Sequence, residues 1–366
     1  MTRIIWLIAI FSNYLQALQY SYPVANVRDD SIYYVYQKTL SDLELWQYQI
    51  PTGIVNKQLY WRFMPIGLRM LPDNSGFSFI DTDRLRIKKF MKRSPSTIEF
   101  NFPVYGIGQV RWMNEHLCYF SAKQKDHYAI FGGDLDTDDL VLLHQSPQAE
   151  CSCPQMMRSG LFCIERNTLD RSCAIVQLIT SGPADNLTTF KPDQFIEKKL
   201  IIDCGYQQVV YFELLSDTLG FYIESMPYIN QGSLMISFIC HQITYSAQVG
   251  QWVARSIFKF SIPKKYLMGD VRLYESYIPF LPRAQKTLLY FADIKQNESG
   301  KYYSSIEQYD LISGQKICIL TSNPNRIIFA PIWSNNLLFC GQILEMSENH
   351  PVESDGPIEL VKINLG

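Results

Sequence analysis

Short alternating stretches separated by turn residues recur along the whole chain, and they come in sets of four. Residues 60–102 carry the plainest set. Residues 66–71 read as a first strand, and Pro72, Asp73, Asn74, Ser75 and Gly76 then form a turn. Proline fixes φ there, while Asp, Asn and Gly accept turn conformations. Residues 76–81 (GFSFID) alternate with period two, Thr82 and Asp83 reverse the chain, and residues 84–90 (RLRIKKF) alternate again. After a turn at 92–95, residues 96–102 (STIEFNF) supply a fourth strand. One such unit of about 40 residues cannot cover both of its own apolar faces, so successive units must stack on one another.

The layout repeats. Residues 23–28, 31–37 and 43–50 open the first set, with Thr52 and Gly53 turning into a fourth stretch. Residues 109–113, 116–122, 127–131 and 139–144 form the third set, and 153–158, 161–166 and 173–180 begin the fourth. A longer fifth set spans 204–275, including 233–243, 257–262 and 271–274. Residues 277–281, 287–294, 304–311 and 315–321 form the sixth, and 327–333, 336–343 and 357–365 the seventh. Residues 47–53 (QYQIPTG) parallel 308–314 (QYDLISG), and both 65–69 (PIGLR) and 330–333 (APIW) place proline before an opening strand. The expectation is an all-β chain, a single β-propeller domain over 18–366 with four-stranded antiparallel blades. Seven blades fit best, and six is the alternative count. Residues 18–22 (LQYSY) alternate but belong to no set. They are expected to pair beside 357–365 in the last blade, closing the ring and hiding strand edges.

Composition agrees. Aromatic residues make up 14% of the chain, with 23 Tyr and 21 Phe, and such residues suit pleated, half-buried surfaces. The formal net charge of −2 argues against a nucleic-acid surface, which needs a clear excess of Lys and Arg. Residues 1–17 read as a secretory signal: Arg3 is the basic start, 4–11 are apolar, and Ala17 is the small residue at the cleavage point. The expected location is therefore periplasmic or secreted, with a buried cytoplasmic N-terminal strand as the alternative. No later stretch has the length and apolarity of a transmembrane helix, and a monomer is expected.

Chemistry-bearing residues are sparse. The nine cysteines lie at 118, 151, 153, 163, 173, 204, 240, 318 and 340. Most sit in apolar runs, where Cys behaves as a small hydrophobe. Cys151, Cys153, Cys163 and Cys173 cluster, which allows a disulfide after export. Their spacings are not the paired C-x2-C of a zinc site. His116 falls in a turn, His127 and His144 at strand ends, and His350 near the C-terminus. His241 follows Cys240, but neighbours on a strand point to opposite faces. Asp134, Asp136, Asp138 and Asp139 beside Gly132 and Gly133 partly resemble the start of a calcium loop, yet lack its later Gly and Glu. Arg69, Arg111, Arg158 and Arg283 recur near set-opening strands, an arrangement that could attract an anion. Residues 88–93 form a local basic run, and Asn186 and Asn297 head glycosylation sequons. No catalytic residue, metal site or cofactor follows from these patterns, and they single out no binding residue.

Residues 71–81 (LPDNSGFSFID) resemble the short repeat of TolB-type propellers, the PD40 or WD40-like repeat. Residues 309–321 (YDLISGQKICILT) are similar to its third and fourth strands, and 331–334 (PIWS) to its opening strand. Residues 111–116 and 156–161 lack the Pro-Asp-Gly turn. The resemblance implies a propeller serving as an interaction scaffold in the cell envelope. Related propellers are lids on prolyl-oligopeptidase-type peptidases, but this chain has no G-x-S-x-G elbow and no room for a hydrolase half. The expected function is non-catalytic binding of a protein or peptide. The alternative is a hydrolase or lyase acting on a carbohydrate or peptide in the central channel, which requires acids, or a His and an acid, to converge.

Overall fold

A computed structural model describes residues 18–27, 30–39, 42–61, 66–81, 84–89, 97–100, 102–108, 110–125, 127–180, 182–184, 187–191, 194–230, 232–267, 280–324, 326–334, 337–345 and 361–364. Residues 1–17, expected to be a signal segment, the expected strand at 271–274, His350 and Asn186 lie outside them. Strand formation follows the alternation. Blade one holds β1 (Leu18–Val27), β2 (Ser31–Thr39), β3 (Asp42–Gln49) and β4 (Val55–Trp61). Blade two holds β5 (Ile66–Met70), β6 (Gly76–Asp81), β7 (Arg84–Lys89) and β8 (Thr97–Phe100). Blade three holds β9 (Arg111–Trp112), β10 (Leu117–Gln124), β11 (His127–Asp134) and β12 (Asp139–His144). Blade four holds β13 (Ala149–Met157), β14 (Gly160–Asn167), β15 (Cys173–Thr180) and β16 (Phe195–Gly205). Blade five holds β17 (Val209–Ser216), β18 (Leu219–Asn230), β19 (Ser233–Ser246) and β20 (Gln251–Pro263). Blade six holds β21 (Arg283–Gln285), β22 (Leu288–Gln296), β23 (Tyr302–Asp310) and β24 (Lys316–Thr321). Blade seven holds β25 (Arg326–Ser334), β26 (Leu337–Glu345) and β27 (Val361–Asn364), completed by β1. The fold is a seven-bladed antiparallel β-propeller.

Contacts divide the chain into two compact units, residues 66–278 and residues 1–65 with 279–366. In the first unit, blades three and four are sheets buried on both faces. Alternate residues of one strand therefore enter different cores. On β10, Cys118 and Phe120 join Ile80, Leu85, Phe102 and Phe131 against blade two, while Leu117 and Tyr119 join Leu161, Cys163, Val176 and Leu178 against blade four. On β14, Phe162 and Ile164 turn instead to Phe212, Leu214 and Tyr222 of blade five. Each large side chain so buried contributes about 1.5–3 kcal/mol, which is why these strands read as nearly continuous apolar runs. Polar side chains stitch neighbouring blades. The Tyr119 hydroxyl accepts from the Met156 N–H at 3.0 Å. Gln155 clamps the Leu214 backbone, its Nε2 donating to the carbonyl at 2.8 Å and its Oε1 accepting from the N–H at 2.7 Å.

In the second unit, β1 joins the last blade as expected, and its partner there is β26. Residues Leu18 to Ser21 pair with Gln342 to Glu345 of β26, and β1 continues as the partner of β2. Of the 357–365 segment, the described part is β27, which also pairs with β26. The four-residue β27 covers only Leu337 to Cys340 of the nine-residue β26, and β1 occupies the remainder of that same edge. One strand thus serves blades one and seven. Two further boundaries differ from expectation. Residues 195–205 form the outer strand of blade four, ended at Gly205 with φ +57°, so blade five starts at Val209. In blade six the first described strand is β21 at Arg283; of the expected strand at 277–281, only 280 and 281 are described, and they form a turn and a bend.

Candidate functional site

β12 ends at His144, after a register shift between Ile130 and Phe131. A single bridge, Ser146 to Ala149, leads into β13. Cys151 on β13 lies directly opposite Glu165 on β14. Cys163, two residues before Glu165, shares its face. Three strands from two blades thus bring His144, Cys151, Glu165 and Cys163 together in a wall otherwise made of Leu117, Ile130, Leu143, Leu161 and Val176. His144 Nε2 meets Glu165 Oε1 at 2.7 Å. Lys198 from β16 caps the same carboxylate, its Nζ 3.1 Å from Oε2 and 3.3 Å from Oε1. One ligand atom each of His144, Cys151 and Glu165 lie within 4.8 Å of one another.

The charges support each other. A hydrogen bond from Cys163 lowers the Cys151 thiol; burial opposes this, and the His144 imidazole adds to it, leaving Cys151 at about 6. For His144, burial acts downward, but hydrogen bonds with Cys151 and Glu165 outweigh it and raise the ring to about 9. Burial likewise raises Glu165, yet His144 and Lys198 together hold its carboxyl below the ordinary value. Cys163 is pushed well up by its hydrogen bond to Cys151 and by burial. The arrangement favours a thiolate and an imidazolium inside an apolar wall. Cys118 and Cys204 show the opposite, ordinary outcome, with burial pushing both thiols up to about 12.

The sequence read His144 as a bland strand end and passed over Glu165. The usable signal was hairpin arithmetic, which from the tight turn at Ser159 places Cys151 within one residue of Glu165; the register shift between Ser152 and Gln155 completes the match. The four clustered cysteines separate by face. Cys151 and Cys163 look toward blade three, while Cys153 and Cys173 look toward blade five beside Cys204. All nine cysteines are free thiols, and Cys318 alone among them is exposed.

Other expected residues are placed differently. His241 pairs with Glu224 at 3.1 Å and stacks on Tyr222, with ring centroids 4.5 Å apart. The alternation that sends it away from Cys240 also delivers it to these partners. His116 Nδ1 pairs with Asp136 Oδ1 at 2.9 Å on an exposed turn. The Asp134 carboxylate accepts from the Asp136 N–H at 3.0 Å. Gly132 and Gly133 lie inside β11, not in a loop. Asp134 and Asp136 are thus engaged in holding the β11–β12 turn, and no metal-type grouping forms there among the described residues. Arg69, Arg111 and Arg283 do sit on first strands, whereas Arg158 lies in the turn between β13 and β14.

Blade five carries a distinctive surface. β17 pairs with β18 only as far as Glu224, while β18, β19 and β20 run on together to the Asn230–Ser233 turn and Pro263. The result is a three-stranded tongue extending past its own first strand. Ile229 and Leu234 face each other across the ladder and are 76% and 48% exposed, with Met226 at 47%. The Lys259 ammonium lies 5.7 Å above the Tyr228 ring.

Neither a protein-family model nor a curated protein matches this sequence. Among solved structures, an oligogalacturonate lyase in complex with manganese is similar at TM-score 0.52 and 8% identity, covering 87% of each chain. The tricorn protease gives 0.48 at 10% identity over 81% of this chain, which spans 30% of the protease chain. TolB from Acinetobacter baumannii gives 0.46 at 9% identity, over 85% of this chain and 65% of TolB. At such identities the likeness concerns the fold alone.

Proposed function

We propose that this chain is a non-catalytic propeller scaffold that binds a protein or peptide partner through the tongue of blade five. The carrying observation is the opposed, exposed pair Ile229 and Leu234 at the end of strands that outrun their blade. Single exposed apolar residues are common on surfaces, but adjacent ones on a projecting element mark contact sites. Pro227 offers no N–H, which blunts the open edge of β18 against indiscriminate strand addition and leaves side chains as the contact. The catalytic alternative has less support. None of the three described His–carboxylate pairs draws a residue from a first strand: His116 and Asp136 lie in turns, and the other pairs use second, third and fourth strands.

The test is a photo-crosslinking residue placed at Ile229, Leu234 or, as a control, the equally exposed Ile312 in the β23–β24 turn, in the cells that make the protein. A discrete adduct from Ile229 and Leu234 and none from Ile312 is expected. Identical patterns from all three positions, or no adduct from the tongue, would remove the proposal.

A further inference from the structure

His144, Cys151 and Glu165 form a group that nothing in the binding role explains. Polar groups in an apolar wall are costly unless they are paired or coordinate a metal, and blades stack elsewhere in this unit on apolar contacts and hydrogen bonds such as those of Tyr119 and Gln155. We propose that this group is a zinc site at the boundary of blades three and four, with His144, Cys151 and Glu165 as ligands.

The geometry carries the proposal. One nitrogen, one sulfur and one oxygen ligand atom converge within 4.8 Å of one another, arriving from β12, β13 and β14. Small shifts bring such atoms to the spacing a tetrahedral ion requires. Cys163, hydrogen-bonded to Cys151, supplies a donor that steadies the thiolate. Lys198 holds the outer oxygen of Glu165 at 3.1 Å, the kind of outer partner that orients a ligating carboxylate. The donor set selects the metal. Thiolate and imidazole suit Zn²⁺, whereas Mg²⁺ and Ca²⁺ prefer oxygen alone. A nucleophilic role for Cys151 fits poorly, because the residue is 0% exposed and no substrate carbonyl can reach its sulfur. A metal at this point would tie the last strand of blade three to the first two of blade four, across a boundary the backbone crosses only once.

The test uses the reduced full-length protein, treated with a chelator and titrated with Co²⁺ alone. Thiolate-to-cobalt charge-transfer absorption saturating at one equivalent, and displaced by Zn²⁺, is expected, since zinc binds such sites more tightly than cobalt. Cys151→Ser should abolish the charge-transfer absorption, and Glu165→Gln should weaken binding by at least about tenfold. Cys173→Ser, on the opposite face of the blade, should leave the titration unchanged. X-ray absorption on the zinc-loaded wild-type protein avoids any folding defect of a variant: a sulfur shell near ~2.3 Å beside nitrogen or oxygen at ~2.0–2.1 Å is expected. A shell of nitrogen and oxygen only would overturn the site. So would absorption that survives in Cys151→Ser, or a Cys151–Cys163 disulfide recovered from protein alkylated as it is isolated.

Discussion

Replacing Gln155 with leucine should cost about 2–4 kcal/mol, and the reason lies in a two-bond clamp. The Gln155 amide satisfies both the N–H and the C=O of Leu214 across the boundary between blades four and five. Both residues are buried. Leucine fills a similar volume but makes neither bond, and each buried backbone group left unpaired costs about 1–3 kcal/mol, partly offset by the extra apolar surface covered. Unfolding entropy of about 2.1 cal/mol/K per residue gives close to 0.8 kcal/mol/K for a chain of 366 residues. A loss near 3 kcal/mol then lowers Tm by about 4 °C in scanning calorimetry, and amide exchange at Leu214 should accelerate. Gln155→Glu adds a signed control. Its carboxyl can still accept from the Leu214 N–H, but when ionised it faces a carbonyl in a buried place, so its pKa in the folded state must rise. A raised acid pKa means the native state binds more protons than the unfolded one, so stability falls as pH rises above the unfolded value of about 4.3. The deficit should grow by about 1.4 kcal/mol per pH unit until the folded pKa is passed. A leucine variant within about 0.5 kcal/mol of wild type, near the spread of neutral surface changes, or a glutamate variant indifferent to pH, would refute the reasoning.

Removing residues 18–22 uncovers Gln342 to Glu345 on β26 and exposes a strand edge. The truncated protein should melt several degrees lower and aggregate on heating, so an unchanged melting curve would count against β1 as the joining strand. Gly132→Ala should destabilise by about 1–3 kcal/mol, because the new Cβ would press into the Phe190 ring. Phe190→Ala in the same chain should cost less than the two single changes added together, and strict additivity in denaturant unfolding would show that the two residues do not touch.

Blade two was legible because every signal agreed. Its turn carried Pro72, Asp73 and Gly76, its strands alternated, and the expected boundaries lie within two residues of those observed. Elsewhere the burial of both sheet faces flattened the alternation. The apolar run 117–120 reads equally well as one face or two, and only the structure shows Leu117 and Tyr119 parting from Cys118 and Phe120. Residues 195–203 were assigned to no set, and 204–205 to the fifth, for a related reason. The outer strand of blade four exposes Lys198, Lys199 and Leu200 in succession, so it lacks both the apolar run of a buried strand and the clean alternation of a half-buried one. The double use of β1 was hidden as well, because it depends on β27 being too short for β26, and strand length at a chain end leaves little trace in composition.

The chemical site was harder to see than the fold because its members are neighbours only through pairing. Cys151 and Glu165 are fourteen positions apart, and the hairpin turn puts them opposite each other only because the register shift between Ser152 and Gln155 comes after Cys151 in the chain. Without that shift, the ladder counted outward from Met157 and Gly160 would set Cys151 against Arg166, and Glu165 would turn to the other face. His144 then enters from a different blade. A search for spaced ligand motifs misses such a site, since those motifs presume a single loop or hairpin. The bulge is therefore open to a direct test of the zinc assignment. Deleting one residue from the Ser152–Pro154 stretch should remove the extra residue of β13 and leave Cys151 opposite Glu165 in a regular ladder. Cobalt charge-transfer absorption should then persist, because the three ligand residues keep their places. If the absorption vanished in a folded deletion variant, the Cys151–Glu165 pairing could not be what holds the ion, and the grouping of His144, Cys151 and Glu165 would be no more than a satisfied ion pair.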